Sequence, residues 1–232
     1  MIEEEKIDEN ELEEDKFIQK IEKLSDFQDE HKYLFRVCLL GDAGVGKTSL
    51  LTRFCDNYFF ENYNNTIGID FRVATLKYDD IISKIHIWDT AGQERFRSLS
   101  LNYINNSHGF IFIYDITSSV SFENVEKWIN LALQKNNHTV ANFLVGNKSD
   151  LEQERKVSKS KAEDFAKNNK LFFLETSAKN HNNVEKLFYY FLYKMVEFYK
   201  TNEYIEDANM KLTTEKTEEI PTERESEKSC FC

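Results

Sequence analysis

Residues 41–48 read Gly-Asp-Ala-Gly-Val-Gly-Lys-Thr, between an apolar run, Tyr33–Leu40 (YLFRVCLL), and a helical stretch, TSLLTRF. No other feature constrains the fold as strongly. The spacing G-x-x-x-x-G-K-[ST] lets the backbone curl until successive N–H groups point at one spot, where a buried strand hands over to a helix. The helix N-terminus adds partial positive charge there. A loop of this kind holds phosphate. The candidate contacts are Gly41, Asp42, Ala43, Gly44, Val45, Gly46, Lys47, Thr48 and Ser49, with Lys47 neutralising the terminal phosphates and the Thr48 hydroxyl ligating Mg²⁺.

The rest of 33–200 alternates extended and helical stretches. Ile69–Tyr78 and Ile81–Trp88 alternate apolar and polar residues across Asp79-Asp80, which predicts a hairpin. Phe110–Tyr114, Phe143–Val145 and Leu171–Leu174 are continuous apolar runs, as expected of strands buried on both faces. Segments 121–136 and 158–169 read as helices, with Ser121 and Ser158 as N-caps. Segment 182–200 has a broad apolar face suited to packing on a sheet. The pattern predicts a mostly parallel sheet covered by helices, with one antiparallel edge strand from the hairpin.

Two further motifs fall at strand ends. Asp89-Thr-Ala-Gly92-Gln93-Glu94 follows KIHIWD. Asp89 is placed to hold the Mg²⁺ shell through water, Gly92 to offer its N–H to a γ-phosphate, and Gln93 to orient an attacking water. Asn147-Lys148-Ser149-Asp150 ends FLVGN. A carboxylate at Asp150 accepts two hydrogen bonds from guanine's N1–H and exocyclic amine, a donor pair that adenine lacks. Lys148 can lie along the base, and the backbone of Ser177, Ala178 and Lys179 can meet the guanine oxygen. Alone, D-x-x-G usually marks no more than a strand ending in a turn, and the bland reading of Asn147–Asp150, the lesser one, is a polar loop. In this order after the phosphate loop, they select guanine.

With these residues in place the chain resembles the Rab family of small GTPases, within the Ras superfamily, over about 33–180. Thr66-Ile67-Gly68-Ile69-Asp70-Phe71, Lys84–Thr90, Ala91–Phe96 and Tyr114–Thr117 are similar to that family's signatures. The resemblance implies a P-loop NTPase fold of the small-GTPase type: a six-stranded, mostly parallel sheet with one antiparallel edge strand and helices on both faces. It also implies nucleotide-sensitive loops at about 57–70 and 89–105. By the same resemblance Thr66 binds Mg²⁺ and γ-phosphate, Phe59 packs on the guanine edge, and Ile67, Gly68, Ile69, Asp70, Phe71, Trp88 and Tyr103 face effectors. An exchange factor, a GTPase-activating protein, a GDP-dissociation inhibitor and a prenylation escort are implied as well. The stretch Leu101–Gly109 departs from the family's usual sequence, and the acidic amino tail is longer than the family norm.

The tails carry the acidity. The formal charge is -11, of which 1–32 hold -8 and 201–232 hold -5, leaving 33–200 near +2. No basic stripe suggests nucleic acid. The 1–32 extension reads as a disordered tail or short helix, with Phe17, Ile21, Leu24 and Gln28 at helical spacing. The amino end is acidic where a secretory signal would be basic, which predicts a cytosolic chain. The flexible 201–232 tail ends Cys230-Phe231-Cys232, similar to the family's C-x-C ending for two geranylgeranyl groups. Two lipids anchor stably where one does not. The expectation is a monomeric switch, GTP to GDP, on the cytosolic face of an intracellular membrane and cycling with the cytosol. A metabolic phosphate-transferring kinase and a non-hydrolysing scaffold are the alternatives. The first needs an acceptor pocket and fits poorly with Asn147–Asp150, and Gln93 argues against the second.

Overall fold

The computed structural model describes residues 16–25, 30–61, 69–90, 103–136 and 139–202. In chain order its elements are β1 (Ile21–Leu24), β2 (Tyr33–Leu40), α1 (Lys47–Asp56), β3 (Ile69–Tyr78), β4 (Ile81–Thr90) and β5 (Gly109–Asp115). There follow α2 (Ser119–Glu123), α3 (Val125–Lys135), β6 (Ala141–Asn147), a 3₁₀ segment (Ser149–Glu154), α4 (Lys159–Asn168), β7 (Phe172–Thr176) and α5 (Val184–Asn202). The strands form one sheet in the order β1-β3-β4-β2-β5-β6-β7. From β4 to β7 all neighbours are parallel, and β3 runs antiparallel to both β4 and β1.

The continuous apolar runs are explained by burial on two faces. In β2, Phe35, Val37 and Leu39 join one core and Cys38 and Leu40 the other. In β5, Ile111 and Ile113 face the first core and Phe110, Phe112 and Tyr114 the second. Helices α1 and α5 cover the first face through Leu50, Phe54, Leu187 and Phe188. Helices α2, α3 and α4 cover the second through Phe122, Trp128, Ile129 and Ala162. Alternation along the central strands therefore places most of their side chains in one core or the other, leaving the carboxyl ends of the parallel strands as the open rim where ligands bind such sheets.

Two expectations need correction. The six expected strands are joined by a seventh, β1, from the amino extension, so β3 is not the edge. Phe17, Ile21 and Leu24 fit helical spacing, yet among the described residues of the extension only 16–18 are helical, and Ile21–Leu24 pair with Thr75–Tyr78. Burial of Ile21 against the first core, with a ladder of backbone partners on β3, outweighs a helix that would expose it. The helix read as 121–136 instead begins at Ser119. Ser118 has extended backbone and accepts the Ser121 N–H at 3.2 Å, so it is the cap. Ser158 caps α4 as expected, accepting the Lys161 N–H.

Candidate functional site

The phosphate loop links β2 to α1. Gly41 (φ 152°) lies so close to the Ile113 carbonyl that a Cβ would meet its oxygen at 2.2 Å. Gly46 (φ 96°) would bring a Cβ to 2.3 Å from Asn147 Nδ2. Glycine is required at both positions for approach as well as for φ. Gly46 also supplies no side-chain cap to α1, so the first-turn amides can serve an anion. Lys47 is buried and donates to the Gly41 and Asp42 carbonyls, each at 2.8 Å. Burial pushes its pKa down to about 8, opposed by the carboxylates of Asp89 and Asp42. A polyphosphate beside it would restore the charge that burial penalises. Asp42 is itself held, taking a hydrogen bond from Asn124 Nδ2 at 2.7 Å and another from Trp128 Nε1 at 2.9 Å.

The β2–β4 register sets Asp89 beside Leu39 at the strand ends, next to the start of α1. The Thr48 hydroxyl donates to Asp89 Oδ2 in a short contact. Asp89 is fully buried, and its Oδ1 has no partner among the described residues. Burial raises its pKa to about 6, opposed by the Thr48 hydrogen bond and the Lys47 charge. A hydroxyl and a desolvated carboxylate with a spare oxygen are hard oxygen donors of the sort Mg²⁺ takes, so the residues present fit that ion.

The candidate base-reading residues collect where β6 and β7 end, in register at Asn147 and Thr176. Buried Asn147 donates from Nδ2 to the Val45 carbonyl at 2.8 Å and accepts the Thr176 hydroxyl at 3.2 Å. Lys148 adopts φ 67° and pairs with Asp115 Oδ2 at 2.6 Å. Asp115 is fixed in turn through Oδ1 by the Thr117 N–H and hydroxyl, at 2.8 and 2.7 Å. The Ser177 hydroxyl donates to Asp150 Oδ1 at 2.5 Å. Ala178 and Lys179 are steadied from α1, whose Arg53 donates to their carbonyls at 2.8 and 3.2 Å. Phe59 is half-buried against the first core.

The aromatic trio is contiguous. Phe71 and Trp88 have ring centroids 4.3 Å apart, as do Trp88 and Tyr103, and Phe71 remains 37% exposed. His86 meets the edge of Phe71 at 5.0 Å. Asp70 lies opposite Asp89, and Ile69 opposite Thr90, in the β3–β4 ladder. Ala43, Gly44 and Ser49 complete the loop and first turn as expected. Thr66, Ile67, Gly68, Gly92, Gln93, Cys230 and Cys232 lie outside the described residues.

Sequence reasoning missed the supports: Asn124 and Trp128 on Asp42, Asp115 on Lys148, and Arg53 on the 178–179 carbonyls. It also missed Arg155, which grips Glu175 with two bonds of 2.7 and 2.9 Å just before Thr176. Only Asp115 carried a signal, at the end of an apolar strand.

Residues 36–197 match the family model described as Ras family. A relative from Theileria parva, Ras-related protein Rab-1, is 44% identical over 160 residues, 68% of this chain and 73% of the relative. Ras-related protein RABD2b from Arabidopsis thaliana is 46% identical over 159 residues, 68% of this chain and 79% of the relative.

Proposed function

The chain belongs to the Ras family, among the Rab small GTPases that hydrolyse GTP and serve vesicle trafficking, and on that premise we propose how its own residues run the switch. Loop amides of 41–46 and the Lys47 ammonium hold the phosphates. Asp150 accepts from the guanine edge, Lys148 lies along the base with Asp115 fixing its far end, and the 177–179 backbone meets the guanine oxygen. Phe59 covers the base edge. Thr48, Thr66 and, through water, Asp89 would hold Mg²⁺, which when bound would neutralise charge on the terminal phosphates. Gln93 orients the water that attacks. Thr66 and Gly92 draw in on the γ-phosphate, and Phe71, Trp88 and Tyr103 with residues 67–70 present the result to effectors.

The single observation that carries this reading is the Thr48–Asp89 contact, with Asp89's other oxygen buried and unpartnered among the described residues. So desolvated a carboxylate, with one oxygen left over beside Lys47, favours a further cation there.

Residues 41–48 contain no arginine to stabilise transition-state charge in cis. Turnover is therefore slow until a GTPase-activating protein supplies that group. An exchange factor reloads the site, and a GDP-dissociation inhibitor and a prenylation escort handle the lipidated tail. Two geranylgeranyl groups on Cys230 and Cys232 hold the chain to the cytosolic face of an intracellular membrane, between cytosolic intervals. Among the described residues no helix is long and apolar enough to cross a membrane.

Single-turnover hydrolysis tests the reading. The full chain with Mg²⁺ consumes GTP and leaves ATP untouched. Gln93→Leu slows the step by at least about tenfold, roughly 1.4 kcal/mol of transition-state stabilisation, while GTP affinity stays near the parent's. Equal rates in parent and variant would remove Gln93 from the mechanism.

A further inference from the structure

The amino extension reaches the nucleotide site through a continuous series of contacts. Lys23, the third residue of β1, donates from Nζ to the carbonyls of Phe54 at 2.5 Å and Cys55 at 2.9 Å. Its ammonium also lies 4.9 Å from the centre of the Phe54 ring. Those carbonyls belong to the last turn of α1, where intrahelical donors run out and the helix dipole is negative. A cation there completes the turn and opposes fraying.

The same turn carries Arg53, which holds the Ala178 and Lys179 carbonyls of the base-reading loop. At its other end α1 begins with Lys47 and Thr48. The extension is seated independently of Lys23: Ile21 is buried, Phe17 stacks on Tyr193 of α5 at 4.9 Å, and Ile21–Leu24 pair with Thr75–Tyr78. The Lys20–Asp79 pair, 3.9 Å long and exposed, adds little. The ammonium is thus delivered by a short strand anchored on β3 and α5.

We propose that β1 is an intramolecular strap that slows loss of bound guanine nucleotide. Lys23 is its positioning residue, acting through the last turn of α1 and Arg53 on the loop 177–179. The proposal rests on the reading of that loop as the guanine contact. It gives the extension a role: removing or displacing this strand loosens nucleotide from the base side, without touching a phosphate-binding residue.

The test uses the full chain with Mg²⁺, loaded with fluorescent GDP and chased with excess GDP. Lys23→Met keeps the apolar stem and removes the charge; it speeds release by about fivefold, the scale of one charged helix-end contact. Lys23→Arg restores the parent rate. Ile129→Val, in the opposite core, matches a modest stability loss and leaves release unchanged. Release from Lys23→Met at the parent rate overturns the proposal, as does an equal acceleration by Ile129→Val, which would make the effect one of general stability. A parent chain that takes up no GDP instead rejects the guanine reading. Amide exchange over 53–56 then judges the strap directly: unchanged protection in Lys23→Met overturns it, and lost protection supports the tether to α1.

Discussion

Asp150 is held from one side by the Ser177 hydroxyl, and Ser177 Oγ in turn accepts the Asn180 N–H at 3.0 Å, so the carboxylate is aimed before any base arrives. Replacing it with an amide turns an acceptor into a donor at the same place. Asp150→Asn should weaken GDP binding by roughly 10- to 100-fold, the worth of charge-assisted hydrogen bonds, and favour xanthosine diphosphate, whose ring carries a carbonyl where guanine has its amine. Competition between the two diphosphates measures this, and unaltered guanine preference would contradict Asp150's role. A second residue couples the fold to pH. His108 Nδ1 accepts the Arg36 N–H at 2.9 Å, which requires a neutral ring. Burial, then the Arg36 charge, pushes its pKa down from 6.5 to about 4. The unfolded chain therefore takes up a proton as pH falls below about 6.5 while the native chain does not. This stability is complete above that pH and is lost progressively down to about 4. His108→Asn keeps an acceptor and removes the titration. Urea unfolding at pH 7 and 4.5 should show the parent losing up to about 3 kcal/mol more than the variant across that interval.

At the scale of elements, α1 and α5 meet through Phe54 stacked on Phe188, centroids 4.1 Å apart. Phe188 is completely buried. Phe188→Ala should cost about 3–5 kcal/mol in urea unfolding; a loss below about 1 kcal/mol would mean the two helices repack without it. The parallel strands were legible because a strand covered on both faces has no polar alternation to obscure it, as FIFIY and FLVGN show. The hairpin was legible from its alternation and from Asp79-Asp80. The start of the second-face helices was not, because Ser118, Ser119 and Ser121 all offer hydroxyls and only backbone shape chooses Ser118. Strand β1 escaped for a different reason. Ile21 and Leu24 are three apart, a spacing that fits a helix, and the partner that makes them a strand lies more than fifty residues away. The loop motifs could be read because chemistry fixes their spacing along one chain. Arg53, Trp128 and Arg155 could not, since each acts on a residue brought near only by the sheet.

For the whole molecule, the folded part is close to neutral and the negative charge sits in the tails, with -5 over 201–232. Such a tail is repelled by anionic lipid, so the membrane attachment proposed above rests on Cys230 and Cys232. Cys230→Ser with Cys232→Ser should move a tagged chain from membranes to cytosol and leave GDP binding unchanged. Fractionation of cells reads both, and continued membrane recovery of the double variant would rule out the lipid anchor. Asn147 has a further consequence at this scale. One amide joins the 41–46 loop, proposed to grip phosphate, to the end of β7, proposed to lead into the base-reading loop. On the proposed roles the pocket would behave as a chelate: each half of the nucleotide, on settling, would tighten the lodging of the other. Guanosine or pyrophosphate offered separately would then be poor company for this protein, each lacking the half that steadies the other.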